Sequence, residues 1–241
     1  MRQITPVFKR EFLGYFRSPV AYVFLWAFLI MSVALAFSRY GGFFRAGIAS
    51  MESYFTFFPW LFVILAPAVG MRLWAEEKRS GSVELLFTLP ITTVEAVFAK
   101  FLAGWAFLTL AILLSFPMAI TVGYLGDPDW GVIATTYLGA ILMAGSYLGV
   151  CSFMSALTKN QVIAFVLSFI VCLVILFLVF SIFTDTLENF LPVSFADALA
   201  NFSFITHFDA FTKGIIDPKD VMFFLSLTGF TLFLNVVALE R

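Results

Sequence analysis

Long apolar runs separated by short polar breaks dominate the chain. Six runs of about 19 residues or more stand out, near residues 19–37, 54–73, 98–123, 131–157, 162–183 and 221–239. At about 1.5 Å per residue, each is long enough as a helix to cross a hydrocarbon core of roughly 30 Å. The pattern predicts an all-α membrane protein with six transmembrane helices. Pro59, Pro67 and Pro117 fall inside the second and third runs. Helices in lipid tolerate proline when neighbours satisfy the freed carbonyls. The first run follows a charged amphipathic segment and is long enough to span, so it reads as a span and not as a cleavable signal. With no internal repeat or low-complexity tract, residues 1–241 read as a single domain.

Three segments do not fit the spanning pattern. In residues 1–18, Ile4, Val7, Phe8, Phe12, Tyr15 and Phe16 recur at three- and four-residue spacing and share one helical face. Lys9, Arg10 and Arg17 lie around that face, suited to anionic headgroups. This predicts an amphipathic helix in the membrane interface, ending where Ser18-Pro19 turns the chain upward.

The sharpest break is "WAEEKRSGSVELLFTLPITTVEAVFAK", residues 74–100. Arg72 to Arg79 reads as a continuation of the second span, and Gly81 permits a sharp turn. Residues 82–88 can then form a short helix stopped by Leu89-Pro90. Thr92 and Glu95 have capping-box spacing, which starts a new helix leading into the third span. Leu85, Leu86 and Leu89 have no reason to face water unless lipid or protein covers them. On this reading Glu76 and Glu77 sit near a helix C-terminus, where the macrodipole favours cations. Two explanations stand. Either Arg72 and Arg79 offset the glutamates in cis by a few tenths of a kcal/mol, or the carboxylates await basic groups on a partner.

Residues 184–220 carry Phe, Leu and Ala between acidic positions. They predict short amphipathic helices at the opposite surface, either a gate over a cavity or a plain cap between two spans. His207, the single histidine, reads as a satisfied interfacial polar group, since no second His, Cys or carboxylate cluster accompanies it. In the fourth span, Ala140-x3-Ala144 and Gly145-x3-Gly149 put small residues on the surface, a signal for close helix packing.

Composition narrows the function. The chain is 62% hydrophobic and 12% charged, with a mean hydropathy of +1.02, where soluble domains are about half apolar and about a quarter charged. Placing the N-terminus inside puts Arg2, Lys9, Arg10, Arg17, Arg72, Lys78, Arg79, Lys100, Lys159 and Arg241 on the inner side. Arg39, Arg45, Lys213 and Lys219 are then outside. Ten against four predicts cytoplasmic termini and a cytoplasmic 74–100 segment. The spans hold almost no ionisable side chains, which argues against an ion-coupled transporter but leaves a passive channel open. Cys151 and Cys172 lie in apolar runs and read as small buried hydrophobes. No phosphate-cradling Gly-x4-Gly-Lys-Ser/Thr loop, His-Glu-x2-His site or Gly-x-Ser-x-Gly elbow appears. The residues thus offer neither an enzyme nor a cofactor site, and the scattered basic residues offer no nucleic-acid patch.

The segment "FKREFLGYFRSPVAYVF" resembles the N-terminal part of ABC-2-type exporter permeases. "WAEEKRSGSVELLFTLPITTVEAVFAKFLAGW" resembles their cytoplasmic segment, and "FITHFDAFTKGIIDPKDVMFFLSLTGFTLFLNVVALER" is closest to the gliding-motility-type branch. The resemblance implies a dimeric permease, built from two copies or from this chain and a homologue, in a bacterial cytoplasmic membrane. Each half would dock on a separate cytoplasmic ATPase subunit that binds ATP and Mg. It implies a connecting helix over residues 1–18 bearing Phe8, Lys9, Arg10, Phe12 and Phe16 at the interface. It also implies a coupling helix within residues 76–97 and an extracytoplasmic hairpin over 184–220, which an accessory protein could meet. ATPase contact would fall to Glu76, Glu77, Lys78, Arg79, Gly81, Ser82 and Glu84, with Leu85, Leu86 and Leu89 as apolar anchors and Lys159 in a second contact loop. Export of a solute and transmission of mechanical work to an extracytoplasmic partner both remain open, as does a passive channel or secondary transporter.

Overall fold

A computed structural model describes residues 4–38, 50–82, 91–180 and 201–240, and every regular element within them is helical. In chain order these are α1 (Ile4–Arg17), α2 (Pro19–Phe37), α3 (Glu52–Phe55), α4 (Phe58–Gly70), α5 (Ala75–Ser80), α6 (Thr93–Leu113), α7 (Phe116–Leu125), α8 (Trp130–Ala156), α9 (Gln161–Phe177), α10 (Phe204–Thr212) and α11 (Pro218–Leu239). Five stretches among them are long and apolar enough to cross a membrane: Pro19–Phe37, Glu52–Ser80, Thr93–Leu125, Trp130–Ala156 and Pro218–Leu239. The remaining expected span corresponds to α9, whose 17 apolar residues reach ~26 Å.

α8 is the axis of the bundle, packed against α4, α6, α9, α10 and α11. Its small residues make that possible. A Cβ on Gly149 would lie 2.4 Å from Thr231 Oγ1 of α11, one on Gly139 would lie 2.5 Å from the Phe211 ring of α10, and one on Gly145 would lie 3.1 Å from Trp105 Nε1 of α6. The small-residue spacing read from the sequence therefore serves packing within this chain. Hydroxyl and amide groups tie the same helices together. Ser146 Oγ donates to the Phe224 carbonyl at 2.9 Å, and Asn235 Nδ2 donates to Ser152 Oγ at 2.5 Å. Such bonds between membrane helices contribute about 0.6 kcal/mol each on average.

Peripheral helices turn apolar residues outward, among them Val23, Trp26 and Ile30 on α2, Val162 and Ile170 on α9, and Met222, Phe230 and Phe233 on α11. An outward apolar surface of this kind suits contact with lipid. The third span breaks at Ser115 for a local reason. Pro117 has no N–H for the carbonyl four residues back, so the chain tightens there. Ser115 N reaches Ile112 O at 3.1 Å, and the Ser115 hydroxyl meets both Ile112 O and the Tyr137 hydroxyl.

Candidate functional site

One end of the bundle gathers most of the described charge, and it is built around the segment that breaks the apolar pattern. The second span does not run unbroken to Arg79, as the sequence suggested. α4 ends at Gly70, residues 71–74 turn, and α5 begins at Ala75. Glu76 and Glu77 accordingly lie in the first turn of α5 with Lys78 and Arg79 in its last turn. That arrangement agrees with the helix dipole. The charge conflict inferred from a continuous helix does not exist.

The turn is held by a single hydroxyl on α8. Ser155 Oγ accepts from the backbone N–H of Trp74 and of Ala75, both at 3.1 Å, and donates to the Met71 carbonyl at 3.0 Å. A serine hydroxyl has one proton and two lone pairs, so its capacity is filled. Trp74 is fully buried beside it. Lys78 Nζ donates to the carbonyl of Ala156, the last residue of α8.

Across this turn lies a buried cation. Lys100, two turns into α6, is 1% exposed; its Nζ sits 2.8 Å from Glu77 Oε1 and 3.3 Å from Glu11 Oε1 of α1. The ammonium also lies 5.1 Å above the Trp74 ring, within cation–π range. Arg10 closes the group, 2.7 Å from Glu11 and 3.4 Å from Glu77. Two cations thus face two anions contributed by α1, α5 and α6. Burial raises the Glu11 carboxyl, but the Lys100 charge and the Arg10 hydrogen bond outweigh it and hold the pKa below the ordinary carboxylate value. The hydrogen bond to Glu11 raises the Arg10 guanidinium in turn. Glu77 Oε2 is buried with no partner among the described residues.

α1 is fixed by its apolar face as well. Val7 is buried, and Phe8, Phe12 and Phe16 are half-buried while Lys9 and Arg10 point outward. Tyr15 stacks on Phe107 of α6 at 4.9 Å, and Phe16 meets the same ring edge-on at 5.9 Å. The apolar face read from the sequence packs on α6.

The residues expected to contact an ATPase are distributed as follows. Glu77 and Lys78 are committed to internal contacts, whereas Glu76, Arg79 and Gly81 are exposed. Gly81 has φ 73°, the left-handed helix end expected at that turn. Ser82 is half-buried with its hydroxyl 2.9 Å from Ser80 Oγ. Lys159 is exposed on the turn between α8 and α9, and α9 packs on α5. Glu84, Leu85, Leu86 and Leu89 lie outside the described residues. The capping box forms as read, with Glu95 N donating to Thr92 Oγ1 at 3.2 Å and Thr92 N to Glu95 Oε2 at 3.4 Å.

Glu11, Trp74 and Ser155 escaped sequence reasoning. The sequence places Lys100 only among the inner-side basic residues; its burial and its partners come from the fold.

At the opposite end, α10 and α11 bring a carboxylate to the histidine that the sequence left without one. His207 Nδ1 lies 2.6 Å from Asp220 Oδ1, and Nε2 lies 2.8 Å from the Asn201 carbonyl. The ring stacks on Phe223 at 3.8 Å. The histidine is satisfied, as read, but it is buried and Asp220 is its partner. A cleft of about 690 Å³ opens nearby, lined in part by Glu52, Asp127, Asp129 and Lys213. Among the described residues, no group of three His, Cys, Asp or Glu side chains could hold a metal ion.

A family model described as "ABC-2 family transporter protein" matches residues 6–239. No curated protein matches the sequence.

Proposed function

The chain belongs to the ABC-2 transporter family, a family of membrane permeases of ABC transporters, and on that premise we propose how it is driven. A separate cytoplasmic ATPase subunit binds ATP and Mg and grips residues 76–89. Glu76 and Arg79 supply exposed polar contacts, Leu85, Leu86 and Leu89 supply apolar anchors, and Lys159 touches from the neighbouring turn. Two permease chains, identical or homologous, form the working dimer in a bacterial cytoplasmic membrane with both termini inside. The excess of Lys and Arg on that side supports the orientation.

One observation carries the reading. The helix leading into the proposed seat is fastened on both flanks, to α8 through Ser155 and to α6 and α1 through the Lys100–Glu77–Glu11 group. A push on residues 76–89 therefore has to displace three helices together. Packed elements joined in this way switch between discrete arrangements, and a partner biases them by differential contact. The work delivered moves a solute outward or acts on an extracytoplasmic partner.

The test is the double substitution Leu85→Ala, Leu86→Ala. Interface energy concentrates in a few desolvated anchors. The double variant should therefore fold, remain in the membrane and lose both co-purification with the ATPase and stimulation of its turnover. Normal co-purification and coupling would remove the seat from residues 76–89.

A further inference from the structure

His207 and Asp220 form a buried pair whose hydrogen bonds do not balance for a neutral ring beside a free carboxylate. The two residues are 4% and 7% exposed. Nε2 lies 2.8 Å from the Asn201 carbonyl oxygen. A backbone carbonyl only accepts, so Nε2 carries a hydrogen. A neutral imidazole has one N–H and one lone pair, and its single proton is thereby spent. Nδ1 still lies 2.6 Å from Asp220 Oδ1, a contact that needs a second proton. Placed on Nδ1, that proton makes a charge-assisted bond to the carboxylate. The resulting cation stacks on the Phe223 ring at 3.8 Å, within the distance of about 6 Å at which an aromatic face attracts positive charge.

Other ionisable groups around the ring are engaged elsewhere or exposed. α10 packs on α8, α9 and α11. α8 and α9 contain no Asp, Glu, Lys or Arg. Tyr147 of α8 stacks on Phe204 and donates to the Pro59 carbonyl, Tyr137 meets Ser115, and Cys151 of α8 faces Cys172 of α9. Asp217, which caps α11, and Lys219 are exposed; Asp209 and Lys213 are exposed and paired with each other. Among the described residues, Asp220 is the one ionisable side chain hydrogen-bonded to the ring.

The pair is placed to hold α10. The far end of that helix is fixed to α8, where Thr135 and Thr136 donate to the Phe211 carbonyl at 3.1 and 3.0 Å and the Phe211 ring fills the notch at Gly139. Ser203 ties its start to the Leu176 carbonyl at 3.2 Å. The His207–Asp220 bond joins it to α11, and the Nε2 bond joins it to the chain that enters it. Thr212 and Lys213, which follow Phe211, line the cleft of about 690 Å³. The setting of α10 therefore sets one wall of that cleft.

We propose that His207 is an imidazolium held by the Asp220 carboxylate, and that its second proton is the catch that fixes α10 and the cleft wall. When that proton passes to water, one ring nitrogen becomes an acceptor facing an acceptor. One of the two bonds then breaks, and α10 loosens from α11 or from the chain before it.

The chain has a single histidine, so 15N-histidine labelling of the full-length protein, purified in detergent through a histidine-free tag, reports this ring alone. At neutral pH both ring nitrogens should carry a proton. Raising the pH to about 9 should remove one of them. In step, amides of residues 204–212 should exchange with deuterium about tenfold faster once corrected for the intrinsic rate, the scale of one charge-assisted hydrogen bond. Asp220→Asn separates the proton from the fold. Its amide donates to Nδ1, so the ring stays neutral with both contacts satisfied. This variant should show one protonated nitrogen and an α10 protection that no longer responds to pH. A single protonated nitrogen in the wild type at neutral pH would overturn the charge state. Two protons retained to about pH 9, α10 protection indifferent to the loss of one, or a wild-type pH response in Asp220→Asn would overturn the catch. Should Asp220→Asn fail to fold, the wild-type pH series decides alone.

Discussion

Lys100→Met removes the buried ammonium and keeps most of the side-chain volume. Glu77 and Glu11 then face each other without their shared cation. Breaking a fully buried ion pair from one side costs about 3–5 kcal/mol. Here the carboxylates are 17% and 21% exposed, and Arg10 still reaches both, so we expect about 2–3 kcal/mol, below the fully buried figure. Lost contact with the Trp74 ring contributes part of that sum. In a chain of this size each kcal/mol moves the melting midpoint by about 2–4 °C, so Lys100→Met should melt about 4–12 °C below wild type. Glu77→Gln alone should lower it as well, because it leaves Lys100 with Glu11 as its one carboxylate partner. The double variant is decisive. With both charges absent the desolvation penalty goes too, so the pair should melt well above the sum of the single losses. The assay is thermal unfolding in detergent followed by tryptophan fluorescence, run on all four proteins at one scan rate. Additive losses, or a Lys100→Met protein that melts with wild type, would refute a coupled buried group.

Other expectations follow from the same geometry. Glu11 has a folded pKa below its unfolded value of 4.5, so its contribution is complete above that value and is lost as pH falls through the folded value. The melting gap between wild type and Glu11→Gln should be full at pH 7 and should close in acid below about pH 4.5; a gap constant down to pH 3 would contradict it. Ser155→Ala strands two backbone donors and one acceptor at the α5 turn, and should cost about 2–3 kcal/mol in the same melting assay. Gly149→Ala drives a methyl toward Thr231 Oγ1 and should cost about 1–3 kcal/mol, whereas adding Thr231→Ala removes the clashing oxygen and should restore most of the loss. A double variant no better than Gly149→Ala would show that α8 and α11 do not meet as described.

Much of this architecture was legible because lipid leaves a chain few choices. Backbone groups must be satisfied within the helix, so each apolar run announces itself, and the Thr92–Glu95 cap and the Gly81 turn are local enough to read. What stayed hidden was long-range pairing. The true partner of Glu77 was not read because Lys100 is 23 residues away, and Ser155 is 81 and 80 residues beyond the two amides it caps. His207 looked solitary for the same reason, with Asp220 one loop further on. The break at residues 71–74 was missed because Arg72 and Arg79 keep helical spacing across it, while the cause of the break is a hydroxyl on another helix. The amphipathic face of α1 was read correctly, but periodicity does not say whether a protein or a lipid covers such a face.

The order of residues around Lys100 bears on how the protein is made. Glu11 and Glu77 both precede it in the sequence, and 23 residues separate Glu77 from Lys100. At about 5–20 residues per second of translation, the ribosome delivers the lysine roughly 1–5 s after its second counter-ion. The lysine is thus synthesised only when both anions already exist. A permuted gene that placed α6 ahead of α1 and α5 would reverse that sequence of arrival and expose the same side chain, unmatched, during synthesis.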